Sequence, residues 1–258
     1  MGNYEFIKTR VEEATGIIEL HRPDVLNALN RKMVDEIVEA LERYDQSEDI
    51  RVIVITGSQK FFAAGADIDE MADDTPVSME LRNQFAVWDR ISLVKKPVIA
   101  AVNGYALGGA FELVLNCDLI FAGETAKFGF PEINLGVMPG AGGTQRLAKT
   151  MGKAKALEWL WTGEHMSAKE AYQYGVINKV VAPEILMDEV LKYTAKLSRQ
   201  APLSVRLIKE AVNKVTDSTL EEGLLLERKN FYLLFSSEDQ KEGMKAFIEK
   251  RKPDFKGK

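Results

Sequence analysis

The chain has 258 residues, a formal net charge of −5, a single cysteine and two histidines, with 46% apolar and 28% charged residues. That is a soluble globular composition, long enough for one domain with a helical appendage or for two domains. The acidic balance without a Lys/Arg block gives no case for nucleic acid. A lone Cys117 excludes an internal disulfide, and His21 and His165 without paired cysteines leave a structural zinc site without ligands.

Taken in chain order, residues 4–20 alternate and then run apolar in GIIEL, which predicts a β-hairpin. Pro23 keeps HRPDVLNALN a loop, and Asn27 or Asn30 can cap the next element. Met33, Val34, Ile37, Val38, Leu41 and Tyr44 fall at helical spacing with acids between them, an amphipathic helix. RVIVITG (51–57) is a continuous apolar run ending in glycine, the pattern of a strand buried on both faces. FFAAGAD comes after it as a turn of small residues that brings backbone close to a partner, and IDEMADD reads as a helix start or an acidic surface. Residues 79–94 read as one helix and KKPVIAAVNG (95–104) as a second buried strand.

ALGGAFELVLNCDLIFAG then predicts a buried helix running into a further strand. Residues 129–152 predict a loop entering a helix, 153–161 and 167–174 two more helices, and VINKVV (176–181) a strand. From Pro183 the pattern is helical throughout, over 184–199, 203–216, 218–234 and 237–250, with breaks at Pro202 and Ser218. The whole is an alternating β/α body, 1–190, and then a helical region, 191–258. No apolar run reaches membrane-spanning length, and the first residues lack the apolar stretch of a secretion signal. The expectation is a cytoplasmic protein that needs no membrane.

Residues 103–145 carry the chemistry. Two glycine clusters and two glutamates in apolar surroundings, Glu112 and Glu132, share this stretch. Gly108 and Gly109 open a helix whose first N–H groups have no internal partner and sit at the positive end of its dipole. Ala66, after Gly65, offers a second backbone N–H from a separate turn. Two such donors converging on one oxygen form an oxyanion hole. Glu112 lies one turn beyond the glycines and therefore near anything they hold. Taken singly, the glycines read as packing residues, Glu112 as a helix-start acid and Glu132 as a loop acid. The pair of carboxyls beside the donors points to acid/base catalysis. GAGGTQ (140–145) lacks the GK[ST] of a phosphate loop and reads as a turn and helix start.

These residues resemble the crotonase superfamily, and within it an enoyl-CoA hydratase. The matching stretches are RPDVLNAL (22–29), FAAGADI (62–68), PVIAAVNGYALGGAFELVLNCD (97–118), FGFPEINLGVMPGAGGTQRL (128–147) and SAKEAYQYGVINKVV (167–181). The resemblance implies an α/β fold, a spiral of ββα units with a C-terminal helical region that forms trimers or dimers of trimers. It implies an acyl-CoA thioester as substrate, no cofactor, and hydration of a 2-enoyl thioester in fatty-acid β-oxidation or related degradation.

By the same resemblance Ala66 and Gly109 supply the oxyanion hole and Glu112 and Glu132 are catalytic. Ala64, Gly65, Asp67 and Ile68 line the adenine and pantetheine path with Leu26 and Gly108, and Gly140 lies near the catalytic water. Phe247 and Lys250 reach the nucleotide, from a neighbouring subunit in the case of Lys250. Glu112 is assigned to activate water and Glu132 to protonate C2, although one water can supply both hydroxyl and proton. Phe130 replaces a polar residue found in some hydratases, and Asp24 and Asp69 stand where relatives often carry lysines, leaving Arg22 and Lys250 for the phosphates. An enoyl-CoA isomerase, a short-chain 3-hydroxyacyl-CoA dehydratase and a non-catalytic or RNA-binding relative remain as alternatives.

Overall fold

The computed structural model describes residues 4–258. It opens with a hairpin of β1 (Ile7–Glu12) and β2 (Thr15–Leu20), paired in antiparallel register from Ile7 opposite Leu20 to Glu12 opposite Thr15. The helix read from the sequence comes next as α1 (Arg31–Gln46). Asn30 caps it by accepting from the Met33 N–H at 2.8 Å, and all six apolar positions of its predicted stripe are buried. The Glu36 carboxylate on α1 accepts the Glu5 and Phe6 N–H groups at 2.9 and 2.8 Å, which fixes where β1 begins.

β3 (Val52–Thr56) and β4 (Val98–Val102) are buried throughout. Together with β6 (Leu119–Gly123) and β9 (Lys179–Val181) they extend the sheet in the order β1-β2-β3-β4-β6-β9, parallel from β2 onward. Both faces are covered, hence the unbroken apolar runs. Ile53, Ile55, Ala100 and Val102 belong to the main core with α1. Val52, Val54, Ile99 and Ala101 face a second core closed by Leu186 and Val190 of α8 (Leu186–Leu197).

A second sheet is formed by β5 (Tyr105–Leu107), β7 (Lys127–Gly129) and β8 (Met166–Ser167). Single bridges extend its pattern, Ala63 to Ala106 and Leu29 to Ala66. The strands β2, β3, β4 and β6 are therefore each succeeded by a short extended piece, and each piece by a helix. This is the ββα spiral. Its helices are α1, α2 (Pro76–Arg82) with α3 (Phe85–Ile91), α4 (Gly109–Leu115), and α5 (Gly143–Met151) with α6 (Lys153–Thr162). After α7 (Ala168–Gln173) and α8 the chain is helical, in α9 (Pro202–Lys214), α10 (Leu220–Leu234) and α11 (Glu238–Ile248). No helix among the described residues is long and apolar enough to cross a membrane.

The single helix expected over 79–94 is instead two. Asn83 ends α2 in the left-handed region, φ 46°, which asparagine tolerates better than most residues. A capping box of Thr75 and Ser78 starts α2 six residues after Asp69, so IDEMADD is a short 3₁₀ turn rather than the helix start.

Asn27 does not cap α1. It is buried at φ 58°, accepts the Arg22 N–H at 2.7 Å, and donates to the carbonyls of Leu20 and Phe62 at 3.2 and 2.9 Å. It thereby ties the loop after β2 to the turn that carries Ala66. Asn27→Ala leaves two buried carbonyls and one half-buried N–H without their partner, at roughly 1–3 kcal/mol for a buried group left unsatisfied. Urea unfolding is expected to show a loss of about 3 kcal/mol, partial relaxation keeping it below the full sum. A loss under about 0.5 kcal/mol, the range of neutral surface substitutions, would show that this tie is dispensable.

Candidate active site

Ala66 and Gly109 meet at the start of α4. A Cβ placed on Gly109 would lie 3.7 Å from the Ala66 nitrogen, so the two N–H groups are neighbours. Neither donates a hydrogen bond to another group among the described residues. The preceding turn is held by the Gly108 N–H on the Gly129 carbonyl at 2.8 Å, and by the Ala64 N–H on the Leu26 carbonyl at 3.0 Å. Gly108 has φ 51° and ψ −128°, a conformation open to glycine and strained for other residues. It also leaves room for Glu132, whose Oε1 would stand 3.0 Å from a Cβ at that position.

The two carboxyls occupy different surroundings. Glu112, on α4, is only 4% exposed. Its Oε1 accepts the N–H groups of Ala141 and Gly143 at 2.7 and 2.8 Å. Burial raises its pKa, and those two donors and the Arg146 charge oppose the rise. Glu132 sits in a 3₁₀ turn (Pro131–Leu135). Its Oε2 is buried without a hydrogen-bond partner among the described residues. Burial pushes its pKa up to about 7, its own backbone N–H opposes this, and the nearby Glu112 adds to the rise. Phe130 completes this dry setting: it is buried, stacks on Phe111 with ring centroids 4.9 Å apart, and lies against Gly143.

Gly140 adjoins the Ala141 donor, so it lies next to Glu112. The ring of Phe85 on α3 would stand 2.7 Å from a Cβ on Gly140, and Trp88 of the same helix would be 3.9 Å from one on Gly109. The helix α3 thus packs against both the Gly109 end of α4 and the Gly140 turn. On the approach, Leu26, 54% exposed, and Ile68, 45% exposed, present apolar surface beside exposed Ala64 and buried Gly65.

The structure therefore brings together Leu26, Ala64, Gly65, Ala66, Ile68, Gly108, Gly109, Glu112, Glu132 and Gly140. Asp67 joins them as a tether, since its carboxylate pairs with Arg22 at 2.6 Å, and the same Arg22 nitrogen also donates to the Ala28 carbonyl. Both charges are thus engaged inside the fold. Phe247 and Lys250 are not brought to the glutamates within this chain. Phe247 is 85% exposed, and the start of α11 is bound to the C-terminal tail, which packs on Arg51 and Pro202 at the entrance to β3.

Sequence reasoning missed Ala141, Gly143, Phe85, Trp88 and Arg146. Its available signal was GAGG ahead of α5, a row of backbone N–H groups free of side-chain crowding. Among the described residues no three His, Cys, Asp or Glu side chains cluster as a metal site would require.

The family model described as enoyl-CoA hydratase/isomerase matches residues 10–258. The chain is 48% identical to a probable enoyl-CoA hydratase of Mycobacterium bovis over 98% of both proteins. It is 44% identical to the mitochondrial enoyl-CoA hydratase of Pongo abelii, over 98% of this chain and 89% of that one. Among solved structures, an enoyl-CoA hydratase subunit of Geobacillus kaustophilus superposes with a TM-score of 0.98 at 64% identity, covering both chains completely. With the free N–H pair and the two unlike carboxyls inside the matched region, the chain is an enzyme that belongs to the enoyl-CoA hydratase/isomerase family of the crotonase superfamily.

Proposed function

We propose that this enzyme adds water in syn fashion across the C2–C3 double bond of a 2-trans-enoyl-CoA to give the 3-hydroxyacyl-CoA. The observation that carries this reading is the unlike pair of carboxyls beside two unpaired N–H groups. Attack at C3 moves negative charge onto the thioester oxygen. The neighbouring, unpaired Ala66 and Gly109 N–H groups are the donors for that oxygen, held in place by the fold so that little reorganisation is needed when the charge appears. Loss of one such donor typically raises a barrier by about 2.7–4 kcal/mol.

Glu112 is the base. Its Oε1 is occupied by Ala141 and Gly143, which leaves Oε2 to accept from a water beside Gly140. As the water oxygen bonds to C3, its proton passes to Glu112. Glu132 is the acid: its raised pKa and its orphan Oε2 suit a protonated carboxyl that delivers a proton to C2 of the enolate. One proton taken and one given balance the addition of water, and a transfer through solvent from Glu112 to Glu132 resets the site. The apolar face of Leu26, Ala64 and Ile68 suits the pantetheine arm.

The C-terminal helices support a homotrimer, or a hexamer of two trimers. The helix α10 buries none of its 15 residues in its own chain, yet it presents Leu220, Leu225, Phe231, Tyr232 and Leu233 to solvent. Helices gain most of their stability from packing an apolar face, so this one calls for a partner. Assembly is also the route by which Phe247 and Lys250 reach a nucleotide held by a neighbour.

Three measurements test these points. Loss of the conjugated-thioester absorbance of crotonyl-CoA is expected to be rapid for the wild type. It should fall by at least about 10²-fold, the scale of general acid–base catalysis, in Glu112→Gln and in Glu132→Gln. An inactive wild type that still binds acyl-CoA would replace hydration with another reaction of the superfamily. The pH profile of kcat/KM should decline above about pH 7, since Glu132 must be protonated and its pKa is about 7; no decline up to pH 9 would remove Glu132 as the acid. Light scattering should give three or six times the 28.9 kDa chain mass, and a monomer would refute the assembly.

A further inference from the structure

Arg146 has no place in the two-glutamate chemistry, yet it stands directly behind it. It lies in the first turn of α5, where its backbone N–H donates to the Gly142 carbonyl at 2.9 Å. Its side chain folds back on the same residue, with Nε 3.2 Å from where a Cβ on Gly142 would stand. Gly142 is the residue between Ala141 and Gly143, the two that hold Glu112 Oε1. The guanidinium is therefore fixed against the outer side of the turn that grips the carboxylate.

The side chain is half-buried, and among the described residues its guanidinium makes neither a hydrogen bond nor an ion pair. A cation drawn partly out of water without a paired anion is unfavourable unless nearby negative charge offsets it. The groups that face it are the half-buried Cys117 thiol after α4, Asp89 on α3 and Glu112 on α4. Cys117 stays a neutral thiol, because burial pushes its pKa up. Asp89 is exposed to solvent and its charge is screened. Glu112 is the buried anion of the set, and Arg146 is the one side-chain cation that acts on it.

We propose that Arg146 is a positioning residue that helps the Ala141 and Gly143 N–H groups keep Glu112 a carboxylate, its charge held behind that turn. Glu112 then has two N–H donors and a cation behind them, whereas the Oε2 of Glu132 has no donor among the described residues. The proposal rests on the hydratase reading for its kinetic consequence. The charge state of Glu112 can be read without any turnover.

The acid limb of kcat/KM for crotonyl-CoA reports the group that must be ionised. Removing an opposite charge near a carboxylate raises its pKa, so the limb moves to higher pH. In Arg146→Gln it is expected to rise by about one pH unit, the low end for a close opposite charge, and Arg146→Lys should return it toward the wild-type position. Arg146→Met keeps the stem packing on Gly142 and carries the same expectation should the glutamine variant fail to fold, which circular dichroism would reveal.

In parallel, an infrared difference spectrum of each protein against its own Glu112→Gln variant tracks the Glu112 carboxylate band with pH. Its midpoint should move up with loss of the Arg146 charge and recover with lysine. A lower plateau rate with limb and band midpoint unmoved would make Arg146 a packing residue and overturn the proposal. An infrared shift in an enzyme that does not hydrate crotonyl-CoA would uphold Arg146 and sink the hydratase reading instead.

Discussion

Glu112 is a carboxyl group taken almost wholly out of water, and the rest of the site depends on how that is made tolerable. A buried carboxylate without partners would take up a proton and lose its use as a base. Here one oxygen receives two short N–H bonds from the GAGG turn, while the other is left for chemistry. The turn can come so close because Gly143 lacks a Cβ, which would stand 2.7 Å from the Phe130 ring. That ring in turn packs on Phe111, the neighbour of Glu112 on α4. The donors, the carboxylate and the aromatic floor fix one another, so none can be moved alone.

Two residues of one type thereby acquire unlike surroundings. Glu112 gains donors and faces a cation, whereas the Oε2 of Glu132 has no donor and meets only burial and the Glu112 charge. Each carboxyl reinforces the other: an ionised Glu112 makes ionisation of Glu132 harder, which favours one proton in the pair. This is the separation that acid and base need at a single pH. Their convergence comes from the spiral. The site is assembled from segments that succeed long strands of the main sheet: the turn with Ala66 after β3, the start of α4 after β4 and β5, and the turn with Glu132 after β6 and β7.

Much of this was legible because burial leaves a period. The stripe of α1 and the two-faced runs of β3 and β4 are direct records of what each side chain touches. The two carboxyls stood out for a different reason: a glutamate flanked by Phe111 and Leu113 is a conflict that ordinary packing does not need. The second sheet was hidden because its strands are two or three residues long, too short to show alternation. The break at Asn83 was hidden because left-handed backbone at asparagine leaves the apolar spacing on either side intact. The grip on Glu112 was hidden because its donors are backbone atoms, and the sequence records them only as an absence of side chains. Phe85 and Trp88 meet the site across a tertiary gap that no local pattern encodes.

The helical region obeys a different logic from the spiral. In the β/α body nearly every apolar run in the sequence has a partner in the same chain. In α9, α10 and α11 the apolar residues outnumber the partners, and α10 buries nothing. Such helices are nevertheless well formed, with a capping box at Thr219 and a capped start at Ser237. Local signals therefore set these helices and leave their apolar faces unspent. The same division leaves Phe247 exposed on the outer surface of α11. A residue on such an unpartnered face meets other groups only where another surface covers it, so the body closes on itself while the tail keeps apolar area for a partner.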